Sequence, residues 1–253
     1  MIQLKNAQEL AKMRRACQIS AEALKLGGRS IEAGMTTADL DKIIYDYIKR
    51  HGARPNFKGL YGFPGTACIS INDEVIHGLP SHSRQIRPGD IVSIDTGAAN
   101  NGFNGDNACT FPCGKVDIEA QRLMDVTKES LHRGIAAAVA GNRVGDIGHA
   151  VQSYVEENGF SVVRSFVGHG VGKELHEDPE VPNYGHAGHG VRLVNGMTIA
   201  IEPMVNQKHH SVKTLSDGWT VVTADGGLAA HFEHSIAILP GGPEILTIGW
   251  EEP

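Results

Sequence analysis

Cysteine is scarce in this chain: Cys17, Cys68, Cys109 and Cys113 are the four present in 253 residues. That is too few for a disulfide scaffold of this size. Cys109 and Cys113 stand four apart with no second pair, which argues against a structural zinc site. No run of about 18 apolar residues exists, so no membrane span is expected. The opening residues, Met1 to Leu10, lack the basic-then-apolar pattern of a signal peptide. A basic excess is missing as well: 23 Lys and Arg face 29 Asp and Glu, a formal net charge of −6. Nucleic acid is therefore not an expected partner. These absences point to a reducing, cytoplasmic setting.

Glycine, by contrast, is abundant, with 31 residues where average usage of ~7% gives about 18. There is no Gly-X-Y period, so a collagenous reading fails. Many glycines instead flank polar residues, where they permit close backbone approach. Hydrophobic residues make up 41% of the chain, enough for a substantial core.

Five polar residues draw attention by their settings: Asp95 in S-I-D-T-G, Asp106 in F-N-G-D-N, His169 in V-G-H-G-V-G, Glu202 in I-A-I-E-P and Glu233 in H-F-E-H-S. Most end or follow an apolar run. Four carboxylates gathered at one point raise each other's pKa unless cations neutralise them. One imidazole and four carboxylates can bridge two divalent ions, the arrangement that activates a water for hydrolysis. This oxygen-rich donor set without thiolate suits Mn²⁺, Fe²⁺ or Co²⁺. His77 in V-I-H-G-L-P and His176 in L-H-E-D-P are candidates to hydrogen-bond a substrate carbonyl or oxyanion. His186, His189, His209 and His210 read as solvated loop residues.

The chain also matches itself at an offset of 107 residues. Ala33-Gly34 falls on Ala140-Gly141 (141 − 34 = 107), Asp39-Leu40 on Asp146-Ile147, and Gly52 on Gly159. Gly89-Asp90-Ile91-Val92-Ser93-Ile94-Asp95 then falls on Gly196-Met197-Thr198-Ile199-Ala200-Ile201-Glu202. The register implies a single domain over 1–253 built from two related halves, about 30–110 and 137–238. Packing about a pseudo-twofold axis would set Asp95 opposite Glu202.

Local signals place the elements. A helix is expected over 6–26, opening at Asn6 with Glu9 in a capping-box position. A second should be capped by Thr37 and stopped by Gly52, and further helices are expected at about 117–139 and 145–158. Strands are expected at 67–71, 91–96, 107–112, 161–167, 197–202, 219–223 and 232–238. A-N-N-G-F reads as a hairpin turn that sets Asp95 and Asp106 on adjacent strands facing one pocket. Helices over a mostly antiparallel sheet make an α+β domain.

Six ordered motifs, N-D-E-V-I-H-G-L-P, G-D-I-V-S-I-D, G-F-N-G-D, G-H-G-V-G-K-E-L-H-E-D-P, I-A-I-E-P-M and F-E-H-S, resemble the bacterial-type, type I methionine aminopeptidases. The resemblance covers essentially the whole chain. It implies the pita-bread fold, with helices over a curved sheet, and removal of the initiator methionine from nascent polypeptides when the next residue is small. By position, Asp95 would bind one metal, His169 and Glu202 the other, and Asp106 and Glu233 would bridge them. A water or hydroxide shared by the metals would attack the first peptide carbonyl, Glu202 would accept its proton, and His77 and His176 would hold the scissile amide. The matching positions for a methionine side-chain pocket are Phe57, Leu60, Phe63, Cys68, Leu175 and Trp219. Leu60 and Leu175 stand where many members carry aromatics, which implies a looser pocket. Expected partners are the Met-X segment of nascent chains and, transiently, the ribosome, with the enzyme a monomer. Prolidase-like enzymes resemble the chain around the ligands but usually carry an added N-terminal domain, for which the helix near Asn6 leaves no room.

Overall fold

Helix α1 (Ala7–Arg29) opens at a complete capping box. The Asn6 side chain accepts from the backbone of Gln8 and Glu9 at 2.9 and 3.0 Å, and the Glu9 carboxylate accepts from Asn6 N at 3.1 Å. The computed structural model describes residues 1–250. The helix continues three residues past the expected end at 26, through Gly27 and Gly28. A Cβ there would lie 3.0 Å from Ile44 Cδ1 and 2.3 Å from Phe111 Cε1, respectively. The two glycines therefore serve close packing rather than termination.

Helix α2 (Thr37–Arg50) corrects a second expectation: its cap is Thr36, not Thr37. Thr37 is buried, and its hydroxyl donates to Ser81 O and accepts from Ser81 N. The first half then forms β1 (Arg54–Pro55), β2 (Ala67–Ile71), β3 (Glu74–Ile76), β4 (Ile91–Asn100) and β5 (Phe103–Pro112). Helices α3 (Ile118–Ala137) and α4 (Val144–Glu157) follow. The second half continues with β6 (Ser161–Val162), β7 (Gly168–Gly170), β8 (Glu177–Val181), β9 (Thr198–Ile201) and β10 (Met204–Asn206). It ends with β11 (Val212–Thr214), β12 (Val221–Thr223), β13 (Ala229–His231), β14 (Glu233–Leu239) and β15 (Gly242–Ile245).

The main sheet is antiparallel, in the order β1-β4-β5-β14-β9-β7-β8, with β2 beside β4 and β15 beside β14. Two small sheets, β13-β10-β6 and β11-β12-β3, complete the strand pairing. Helix α1 lies on β4 and β5, α2 on α1, and α3 on α4. Ile44, Ile94, Leu131, Ile147 and Ile201 belong to one buried cluster that runs through both halves.

The β4–β5 turn is as expected. Asn100 pairs with Phe103, and Asn101 and Gly102 both take positive φ, +50° and +79°, as a tight two-residue hairpin requires. Of the strand expected over 161–167 only β6 forms, at Ser161–Val162, and residues 163–167 pair in no strand. Val163 is fully buried against Val75, Met204 and Val221, and Phe166 packs on the same cluster. The apolar character there is satisfied by packing rather than by a ladder.

Geometry repeats at the 107-residue offset. Helices α2 and α4 match at both ends, and both carry an aspartate, Asp39 or Asp146, that caps backward. Gly34 N donates to Ile86 O at 2.8 Å and Gly141 N to Leu193 O at 2.9 Å. The bridges Thr36–Gln85 and Arg143–Arg192 stand at the same spacing. Among the described residues no helix is long and apolar enough to cross a membrane.

Candidate metal centre

The β4–β5–β14 ladder builds the floor of the site. Ala108 lies opposite both Asp95 on β4 and Glu233 on β14, and Asp95 also faces Cys68 on β2. Directly opposed residues share a face, so Cys68, Asp95, Ala108 and Glu233 form one row. The Ala108 methyl between two acids leaves space above the sheet. Asp106, two residues before Ala108, projects to the same side. Its backbone is fixed to β14: Ser235 Oγ donates to Asp106 O at 2.8 Å and accepts from Asp106 N at 3.2 Å.

His169 and Glu202 enter from the other half. The His169 ring hydrogen-bonds through Nδ1 to Gly170 O at 2.8 Å, which puts the proton on Nδ1 and turns the Nε2 lone pair inward. That Nε2 lies 3.5 Å from Glu202 Oε1 and 3.7 Å from Asp106 Oδ2. Donor atoms of Asp106, His169 and Glu233 fall within 4.8 Å of one another. Asp95 and Glu202 lie outside that tight trio but line the same cavity.

Among the described residues no Lys or Arg offsets the charge of these acids. Burial, then repulsion from Asp106, pushes Asp95 well above the carboxylate range. Burial raises Asp106 to about 7. Glu202 and Glu233 are driven up by burial and by their acidic neighbours. Asp95 Oδ1, Asp106 Oδ1 and Glu233 Oε1 are buried with no hydrogen-bond partner. Buried, unpartnered oxygens on mutually repelling acids are the donor set a divalent cation needs, so the residues fit a metal.

The cavity above this floor measures about 710 Å³, and every catalytic, metal and pocket residue expected from the sequence lines it. Phe57, Phe63, Cys68 and Leu175 form one buried apolar cluster, with Leu60, Leu79 and Trp219 packed on it. Trp219 meets Phe63 edge-on at 5.2 Å. His77 sits at φ +59° and faces Phe166 edge-on at 5.7 Å. His176 stands perpendicular to His169 with ring centres 4.4 Å apart. Burial lowers His77 and His169 to about 4 and lowers His176 as well, with His176 adding to the effect on the other two. All three are therefore neutral imidazoles at pH 7.

His186, His189 and His209 are exposed and lie outside this cavity. His231 was not anticipated as a site residue. It is buried, lines the cavity, and its Nε2 stands 3.9 Å from Glu202 Oε2. Its position two before Glu233 was the available signal, because alternate residues of an extended chain point the same way.

The profile of "Metallopeptidase family M24" matches residues 11–240. A methionine aminopeptidase of Clostridium perfringens is 55% identical over 98% of this chain and 99% of its own. The crystal structure of methionine aminopeptidase from Thermotoga maritima superposes with a TM-score of 0.96 at 45% identity, covering 98% of this chain and 99% of that one. Prolidase from Pyrococcus furiosus, at 23% identity and a TM-score of 0.79 over 97% of this chain and 65% of its own, shares the fold alone.

Proposed function

The chain belongs to metallopeptidase family M24, and we propose on that premise that it removes the N-terminal methionine of polypeptides whose second residue is small. Its fold is the pita-bread α+β arrangement of its structural relatives, and we read residues 1–253 as one catalytic unit of two related halves. A single observation carries the functional reading. The acids and imidazole of the candidate metal centre floor a cavity whose wall is the apolar cluster around Phe63 and Leu175. That pairing suits a substrate with an apolar, sulfur-containing side chain beside a bond to be hydrolysed.

Asp95, Asp106, His169, Glu202 and Glu233 would hold two divalent cations. Mn²⁺, Fe²⁺ and Co²⁺ suit one nitrogen and several oxygens. Bound there, such ions polarise a carbonyl and acidify water at neutral pH. Glu202 accepts the proton that the nucleophile gives up and passes it towards the leaving amine. His77 and His176, neutral and on the cavity wall, donate hydrogen bonds to the scissile amide and to the oxyanion that grows from it. Phe57, Leu60, Phe63, Cys68, Leu175 and Trp219 receive the methionine side chain and exclude water. Asp95 would hold a cation at the end of the cavity that receives the free α-amine, which would restrict cleavage to chain ends.

In the cell we place this activity on nascent chains in the cytoplasm, the enzyme acting as a monomer in transient contact with the ribosome. Mass spectrometry on a Met-X peptide panel with defined metals tests the reading. Release of methionine before Ala, Gly or Ser but not before Lys or Leu is the expected result. Indifference to the second residue overturns it.

A further inference from the structure

Lys5 is buried, with 3% of its side chain exposed, and it is paired with a Glu177 side chain exposed by only 5%. Two long charged side chains are rarely found so deep unless each holds something. The Lys5 ammonium donates to the Glu177 carboxylate and, at 3.1 Å, to Gln3 O. Its backbone N donates at 2.7 Å to Gly196 O, just ahead of the strand that leads to Glu202. The lysine stem crosses Gly172 so closely that a Cβ there would lie 2.4 Å from Lys5 Cε.

What the pair grips is the loop between Gly172 and Glu177. The other Glu177 oxygen accepts from Glu174 N at 3.2 Å, and Gly172 N donates to Glu174 O at 3.0 Å. At the far end, the Asn104 side chain donates to Gly172 O and Lys173 O at 3.0 and 2.9 Å, two residues before Asp106. The loop is thus fastened at both ends, and between the fastenings stand Leu175 and His176, both on the cavity wall.

We propose that Lys5, acting through Glu177, is a positioning residue that fixes His176 against the substrate. Removing two charges from water has a desolvation cost that often outweighs their attraction, and an apolar pair of similar volume is commonly as stable. The ion pair is therefore explained by the geometry it imposes rather than by net stability. The inference deepens the aminopeptidase reading and rests on it. Lys5 touches no substrate; displacing His176 by about 1 Å is enough to slow the reaction by about 100-fold.

The test replaces the ion pair with an apolar one, Lys5→Met/Glu177→Leu, in the metal-loaded enzyme. The variant should melt within a few degrees of the parent, yet kcat on Met-Ala-Ser should fall by about tenfold or more. In a His176→Ala background the same replacement should change kcat by less than about twofold, because the partner through which it acts is gone. Unchanged kcat, or losses that multiply across the two backgrounds, overturns the proposal. A variant that does not fold leaves hydrogen exchange in the unaltered enzyme as the readout: the Glu174 amide should be protected, and exchange at the solvent rate overturns the clamp. If the unaltered enzyme releases no methionine, the aminopeptidase reading fails, and the exchange measurement still decides whether the loop is clamped.

Discussion

Asp95 and Asp106 are diagonal neighbours on one face of the β4–β5 hairpin, Asp95 opposite Ala108 and Asp106 opposite Gly97. The ladder fixes that proximity, so the two cannot move apart to relieve their repulsion. In the metal-free protein the folded state therefore retains protons that the unfolded chain, with carboxyl pKa values near 4, has lost. By about pH 7 the histidines, neutral when folded, are about three-quarters neutral in the unfolded chain as well, and their opposing slope is fading. The melting temperature of chelated protein should accordingly fall as pH rises from about 7 to about 9, while the increment given by saturating Mn²⁺ grows. Calorimetry with and without chelator reads both slopes. A flat profile without metal would remove the proposed charge crowding.

Glu202→Gln removes both a candidate ligand oxygen and the proposed proton acceptor. Turnover of Met-Ala-Ser should drop by at least about 100-fold while the far-ultraviolet spectrum stays unchanged. Near-normal kcat would take Glu202 out of the mechanism.

His77→Ala separates holding substrate from holding structure. His77 already occupies the left-handed region at φ +59°, and alanine bears a similar backbone strain there. A loss of about 100-fold in kcat/KM with a melting shift of only a few degrees is expected. Parallel losses in rate and stability would mark a structural residue.

Trp219→Ala opens the apolar wall beside Phe63. KM for Met-Ala-Ser should rise by about tenfold, corresponding to ~1.4 kcal/mol of binding, with kcat less affected. An unchanged KM would move the methionine side chain to another part of the cavity.

Gly105→Ala tests the seat beneath the centre. Its Cβ would fall 2.5 Å from Cys17 Cα, a backbone atom of α1 that cannot swing aside. Overpacking of this kind destabilises by about 1–3 kcal/mol, or a melting shift of about 3–10 °C at this size. Gly241→Ala, where nothing lies within 4 Å, should be within about 0.5 kcal/mol of neutral.

Much of this arrangement was legible in the residues. The Asn6 cap, the strand at 67–71 and the Asn101-Gly102 turn follow from local chemistry, and the structure reproduces them. The Thr36 cap was misplaced by one because two adjacent threonines offer the same hydroxyl; only the contact with Ser81 distinguishes them. Strands of two or three residues, such as β3, β10 and β13, carry too little periodicity to read, and their pairing is set by tertiary packing. Motif matching identified the candidate ligands, but it missed His231, which no motif singled out. Nor could it show that Lys5 reaches Glu177 across 172 residues of chain.

Asp95 and Asp106 come from the chain before the exposed Gly114 and Lys115, and His169, Glu202 and Glu233 from the chain after them. A backbone cut at that connection would leave every donor group chemically intact and yet strand them on separate fragments. Neither piece could work alone, and activity would return only when they reassociate, so the connection between the halves is a natural place to build a two-piece complementation reporter.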